Sequence, residues 1–232
     1  MKTNQTRQTL LPWKIYVLIP NLIGYIRILL VIIAFYVCFK NHYLFFVCYG
    51  LSQLLDALDG HAARYFSQST RYGAMLDMVT DRASTAALLT ALTKLYPAYT
   101  RLFMAVIALD IVAHFAHVYS SLLYGKESHK LVSKRQNQFL RVYYSYKFVL
   151  FLLCLGNEAY LLLLYLRYFE PALGLTPHWQ SIIIPGLIYT LGTLFILKQL
   201  INIIQLIQAA QDTVRFDIEE ATSKNTGAGL NQ

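Results

Sequence analysis

Six long apolar runs constrain this chain more than any other feature. They cover roughly 15–38, 43–62, 73–95, 101–124, 143–166 and 181–207, and leave little sequence between them. Crossing the hydrocarbon core takes about 20 residues of helix, so each run is long enough to span a bilayer. With 56% hydrophobic residues and only 14% charged, the 232-residue chain falls outside the range of ordinary soluble domains. A closed barrel would need alternating polarity, and runs such as YLLLLYLRYF (160–169) and INIIQLIQ (201–208) have no period of two. The expected fold class is therefore an all-α integral membrane protein with six transmembrane helices. The expected division is a short cytosolic N-terminal segment (1–14), one membrane domain (15–210) and a cytosolic tail (211–232), helical at its start and then disordered. No cleavable signal peptide is evident, because the first apolar run is itself of full spanning length.

Basic residues set the orientation. Lys2, Arg7, Lys14, Arg64, Arg71, Lys126, Lys130, Lys134, Arg135, Arg141, Arg215 and Lys224 fall on one side of the expected spans; Lys40, Lys94, Arg101 and Arg167 fall on the other. The positive-inside rule puts the first set, and both termini, in the cytosol. The net charge of +8 is spread over juxtamembrane loops, where lipid headgroups and insertion account for it, and no nucleic-acid partner is expected. Cys38, Cys48 and Cys154 lie in apolar helix without CxxC spacing, which argues against a disulfide framework or a zinc site.

Against this apolar background, LLDALDGHAARYFSQSTRYGAMLDMVTDR (54–82) holds Asp56, Asp59, Asp77 and Asp81. An ionised carboxylate in or near hydrocarbon costs several kcal/mol unless paired, hydrated or metal-bound. Asp56 and Asp59 are three apart and Asp77 and Asp81 four apart, so each pair shares a helix face. With the turn 63–72 between the two helices, all four can converge. Oxygen-only clusters of this kind suit hard divalent ions such as Mg²⁺ or Mn²⁺. Gly60, Ala62, Ala63, Gly73 and Ala74 leave room for a ligand, and Arg64 offers a forked donor to phosphate. The bland alternative is an ion-pair and capping network in which Arg64, Arg71 and Arg82 pair the acids.

These residues read DxxDGxxAR, eight residues, GxxxDxxxD, a pattern that resembles the signature of the CDP-alcohol phosphatidyltransferases. The finer wording, DGHAAR, GAMLDMVTDR, PNLIGYIR and YGKESHK, is similar to the eukaryotic phosphatidylinositol synthases over nearly the whole chain. The resemblance implies six transmembrane helices around a cytosol-facing active-site cavity, a homodimer, and residence in the endoplasmic reticulum membrane. It implies that Asp56, Asp59, Asp77 and Asp81 bind two Mg²⁺ or Mn²⁺ ions, with Asp81 also the catalytic base. It further implies that Asn21, Gly60, Ala63, Arg64, Thr70 and Gly73 bind CDP-diacylglycerol. Asn21 and Arg27 match the first-helix pattern PNxxTxxR, with Gly24 in place of its threonine. The implied reaction transfers the phosphatidyl group to myo-inositol and releases CMP, in contact with membrane lipids. The signature itself is silent on the acceptor, so serine or glycerol phosphate stays open, as does a divalent-cation carrier that uses the aspartates as its ion path.

Outside the signature, Lys130, Arg141 and Lys147 are candidates for an acceptor pocket, with ordinary insertion charges as the alternative. Asp110, His114 and His117 lie at i, i+4 and i+7 on one helix; hydrogen bonding to a neighbouring helix is preferred there over metal binding. Asn157 and Glu158 need partners or a cavity. The many tyrosines near span ends, such as Tyr96, Tyr124 and Tyr168, read as an interfacial belt.

Overall fold

The computed structural model describes residues 12–124, 146–173 and 182–228. Among them the regular structure is helical: α1 (Pro12–Tyr16), α2 (Ile19–Val37), α3 (His42–Tyr65), α4 (Arg71–Leu95), a 3-10 turn (Pro97–Tyr99), α5 (Thr100–Tyr124), α6 (Lys147–Leu173) and α7 (Ile184–Ala228). Four segments are long and apolar enough to cross a membrane: Ile19–Val37, Pro97–Tyr124, Phe148–Phe169 and Ile184–Lys224. Helices α3 and α4, with 24 and 25 residues, match these in length but carry the four aspartates and their flanking arginines, which dilute the apolar character a span needs. The chain divides into two compact units, Met1–Ala91 and Leu92–Gln232.

In the first unit, α2 and α3 form an antiparallel pair closed by a short turn. Asn41 caps α3, its side chain accepting from the Leu44 amide at 3.0 Å, which satisfies one of the orphan donors of the first turn. The turn end is packed by Phe35, Phe45 and Tyr49, with ring centroids 5.5–5.9 Å apart. Further along, the Ser52 hydroxyl donates to the Arg27 carbonyl at 3.2 Å. Helix α3 then ends in a Schellman turn: the Gln68 amide donates to the Ala63 carbonyl at 2.9 Å and the Ser67 amide to the Arg64 carbonyl at 3.3 Å. Ser67 takes the left-handed position, φ 56°, where glycine is the usual occupant. Three residues later Thr70 caps α4, its hydroxyl accepting from the Gly73 amide at 3.0 Å.

Helix α4 runs parallel to α2. Tyr25 and Tyr72 share a hydroxyl hydrogen bond of 3.0 Å, and a side chain at Gly24 would meet Leu76 Cδ2 at 2.9 Å. Gly24, in the place of the pattern's threonine, is thus a position where α2 packs tightly on α4. The Gln68 side chain closes the unit by accepting from the Ile19 amide at 3.1 Å, at the start of α2.

In the second unit, α7 packs on α6 antiparallel and on α5 parallel. A Cβ at Gly156 would lie 2.7 Å from Leu194 Cβ, and one at Gly192 would lie 3.2 Å from the Tyr160 ring, so both glycines let helix backbones approach as small residues do in membranes. Buried polar groups bridge the same helices. The Gln199 amide donates to Asn157 Oδ1 at 2.9 Å, and Asn157 to Glu158 Oε1 at 3.2 Å. Asn202 donates to Asp110 Oδ1 at 3.3 Å, the interhelical bonding preferred for Asp110, and His114 Nδ1 lies 3.6 Å from the same oxygen. Tyr96 donates to the Leu164 carbonyl at 2.8 Å and packs edge-on to Tyr168. With 45 residues, α7 extends about 67 Å, more than twice the hydrocarbon thickness of about 30 Å. It continues as helix through residues 211–228. Tyr124 holds this extension, donating to the Asp212 carbonyl at 2.9 Å and packing edge-on to Phe216.

The left-handed Ser67 marks a position where the backbone opposes its side chain. Ser67→Gly removes that conflict, and it should raise stability by about 1 kcal/mol. Thermal unfolding in detergent, compared with the unsubstituted protein, checks this.

Candidate active site

All four aspartates converge as expected, and they do so on a cation. Arg27, the sole charged residue of α2, is completely buried. Its Nη1 donates to Asp59 Oδ2 at 2.7 Å and to Asp77 Oδ1 at 2.8 Å. Its Nη2 lies 2.7 Å from Asp56 Oδ1 and 2.5 Å from Asp81 Oδ1. One guanidinium thus touches both carboxylates of α3 and both of α4. The ion-pair alternative anticipated Arg64, Arg71 and Arg82 as partners; the residue that pairs the acids is Arg27 instead. Arg82 reaches Asp81 only at 3.9 Å. The signal was in the sequence: a lone arginine on an otherwise uncharged membrane helix needs acids close by, and those of α3 and α4 are the nearest dense group.

The charges do not balance. Four carboxylates meet one guanidinium, with the side chains of Asp56 and Asp77 37% and 47% exposed, so a single cation does not compensate the repulsion among them when they are ionised. Asp56, Asp59 and Asp77 each offer an oxygen, and these lie within 4.8 Å of one another. An oxygen-only donor set this tight fits a hard divalent cation. Asp81 stands outside that trio and is joined to it through Arg27. Its other oxygen faces Arg82, and its carbonyl accepts from Ser84 and Thr85 at 3.0 and 2.9 Å.

A cleft of about 190 Å³, open to solvent, adjoins the acids. Asp59 and Asp77 form its acidic wall. Asn21, Gly60, Ala63, Arg64, Thr70 and Gly73 all line it, so the six residues expected to contact the nucleotide lipid are brought together. Asp56 and Asp81 are not among its lining residues. Gln68 and Ser69, which the sequence shows only as part of the turn 63–72, add an amide and a hydroxyl to the rim, and Pro20 of α2 lines it too. Lys130 and Arg141 lie outside the described residues, and Lys147 opens α6.

Each small residue of the cleft has a local reason. The Gly60 Cα lies beneath the Arg64 guanidinium, where an added Cβ would be 3.5 Å from Nη1, so the arginine folds back over it into the cleft. At Gly73 a Cβ would fall 2.8 Å from Asn21 Oδ1 and 3.3 Å from Thr70 Oγ1. Asn21 is fixed in turn by donating to the Ile15 carbonyl at 2.6 Å. Asn21, Gly73 and Thr70 therefore form one interlocked corner where α2 meets the start of α4.

The sequence profile of the CDP-alcohol phosphatidyltransferases matches residues 17–207. The chain belongs to this family. Among curated relatives, the CDP-diacylglycerol–inositol 3-phosphatidyltransferase of Homo sapiens is 43% identical, covering 90% of this chain and 97% of its own. Those of Schizosaccharomyces pombe and Saccharomyces cerevisiae are each 39% identical; the first covers 89% of this chain and 92% of its own, the second 97% and 99%. No solved structure matches the chain.

Gly73→Ala tests the corner. The added methyl must displace Asn21 or the Thr70 cap, and the expected cost is about 1–3 kcal/mol, read as a lower unfolding midpoint. Gly60→Ala, with only ordinary contact to Arg64, should cost much less.

Proposed function

We propose that this protein transfers the phosphatidyl group of CDP-diacylglycerol to myo-inositol, giving phosphatidylinositol and CMP. The observation that carries the reading is the family's aspartate cluster beside a cleft lined by Gly60, Ala63, Arg64 and Gly73, in a chain about 40% identical over nearly its full length to inositol-using relatives. The acceptor follows from that identity; the nucleotide chemistry follows from the signature.

In this reading the CDP moiety enters the cleft and Arg64 forks onto its diphosphate, a contact for which a planar, permanently charged donor is best suited. Asn21, Thr70 and Gly73 shape the nucleotide end, and the absence of side chains at Gly60 and Gly73 lets the ligand approach backbone. Asp56, Asp59, Asp77 and Asp81 hold Mg²⁺ or Mn²⁺, two ions. When bound, these ions neutralise diphosphate charge and stabilise the departing phosphate. Asp81 accepts the proton of the attacking inositol hydroxyl. The hydroxyl oxygen bonds to the phosphorus that bears diacylglycerol, the bond from that phosphorus to the bridging oxygen breaks, and the pair leaves with CMP. No covalent enzyme intermediate is needed. Lys130, Arg141 and Lys147 contribute to the acceptor pocket.

All six long helices span the membrane in this proposal, with α3 and α4 crossing despite their charges because the acids face inward. Residues 15–210 make up the catalytic domain and 211–232 a cytosolic tail. Both termini and the cleft face the cytosol of the endoplasmic reticulum, so the lipid substrate arrives laterally while inositol and CMP exchange with water. The protein acts as a homodimer.

CMP release by purified protein with CDP-diacylglycerol, Mg²⁺ or Mn²⁺ and a panel of alcohols tests the reaction. Inositol alone should support release, and Asp81→Asn should lower kcat by at least about a hundredfold. Release with serine or glycerol phosphate instead would overturn the acceptor. Metal flux into sealed vesicles without CMP release would overturn the enzyme reading. Separately, Arg64→Lys should raise KM for CDP-diacylglycerol about tenfold, since a point charge cannot replace the fork.

A further inference from the structure

Arg27 is absent from the cleft lining, yet it contacts the acids beside it and is completely buried. Its two terminal nitrogens serve four carboxylates drawn from two helices, while its Nε is buried with no hydrogen-bond partner among the described residues. Paired with one carboxylate, an arginine forms a bidentate fork. Arg27 instead spreads single contacts over four acids and leaves a donor unsatisfied, the arrangement expected of a cation whose place is set by the cluster around it.

The oxygens it uses matter. Asp56, Asp59 and Asp77 supply both the close oxygen trio and three of the four arginine contacts. Any cation bound by these carboxylates draws on the same three side chains as the guanidinium, and there it meets a fixed positive charge that cannot be lost by deprotonation. In the opposite direction, the same charge holds four mutually repelling carboxylates together before a metal arrives.

We propose that Arg27 is a built-in competitor and placeholder for the divalent cation: it keeps the aspartate cluster assembled without metal and weakens metal affinity so that binding stays reversible. Arg27 is on this account a positioning residue. The inference rests on reading the aspartate cluster as a divalent-cation site. Because coupling between two ligands of one site is reciprocal, the arginine's effect on metal affinity must equal the metal's effect on the stability that the arginine contributes.

The test uses the full chain in detergent, with Mn²⁺ as the probe. Binding is measured by the loss of free Mn²⁺ signal in electron paramagnetic resonance, and unfolding midpoints are taken in EDTA and in saturating Mn²⁺. Relative to the unsubstituted protein, Arg27→Gln should bind Mn²⁺ at least about tenfold more tightly, unfold at much lower temperature in EDTA, and regain most of the difference in Mn²⁺. Arg27→Lys keeps the charge but cannot reach four carboxylates at once, so it should fall between the two in both readouts; it decides the matter if Arg27→Gln does not fold. An equal loss of midpoint in EDTA and Mn²⁺, with affinity unchanged or weaker, would make Arg27 a structural rivet and overturn the proposal. If the unsubstituted protein shows no Mn²⁺ binding that Asp77→Asn abolishes, the metal reading fails and this inference fails with it.

Discussion

A buried arginine surrounded by four carboxylates is the constraint on which the first unit depends. Taking Arg27 and Asp59 out of water costs several kcal/mol, and only good geometry with their partners offsets it. The geometry requires Arg27 of α2, Asp56 and Asp59 of α3, and Asp77 and Asp81 of α4 to meet at one level. Three helices are thereby held in register: α2 against α3 by an antiparallel hairpin, and α2 beside α4 in parallel. Removing one partner of such a cluster is far more costly than replacing the whole by apolar residues would be, so the arrangement is better explained by chemistry than by stability.

The rest of the unit is built to bring that cluster to a surface. The Schellman turn at Ser67 and the Thr70 cap reverse the chain within a few residues, so the cytosol-side end of α3 in our reading lies next to the start of α4. Gln68 ties the turn back to α2. Glycine and alanine line the resulting cleft because any larger side chain would fill it or, at Gly73, collide with Asn21. Excess negative charge and open space thus adjoin, which is what binding a cation together with a charged diphosphate calls for. The second unit uses polar contacts differently: Asn202 with Asp110 and Gln199 with Asn157 join helices to one another, as hydrogen bonds do in hydrocarbon.

Much of this was legible beforehand. Helical spacing alone put Asp56 with Asp59 and Asp77 with Asp81, and a short polar turn between two apolar runs brought the pairs face to face. The signature named Gly60, Ala63, Arg64 and Gly73 of the cleft, and the first-helix pattern named Asn21. Arg27 was visible as an intramembrane charge, but helical periodicity reports which face a residue occupies and not which neighbour that face meets. The ion-pair alternative therefore named only arginines close by in sequence. Similarly, the tail reads as a helix at its start that then gives way to disorder, whereas α7 runs on to Ala228; Tyr124 anchors Asp212 and Phe216, a contact between residues 88 apart in the case of Asp212 that no local pattern reveals.

By itself the sequence determined the all-helical membrane class, the family and the pairing of the aspartates on helix faces, because hydrophobic run length and i, i+4 spacing are local properties that burial in lipid enforces. Only the tertiary structure decided which cation sits among the four aspartates, which of them face the cleft, and where α2 approaches α4 at Gly24 and Gly73. Those outcomes depend on how helices distant in sequence pack together, and that is settled by the joint cost of burying charge and filling space.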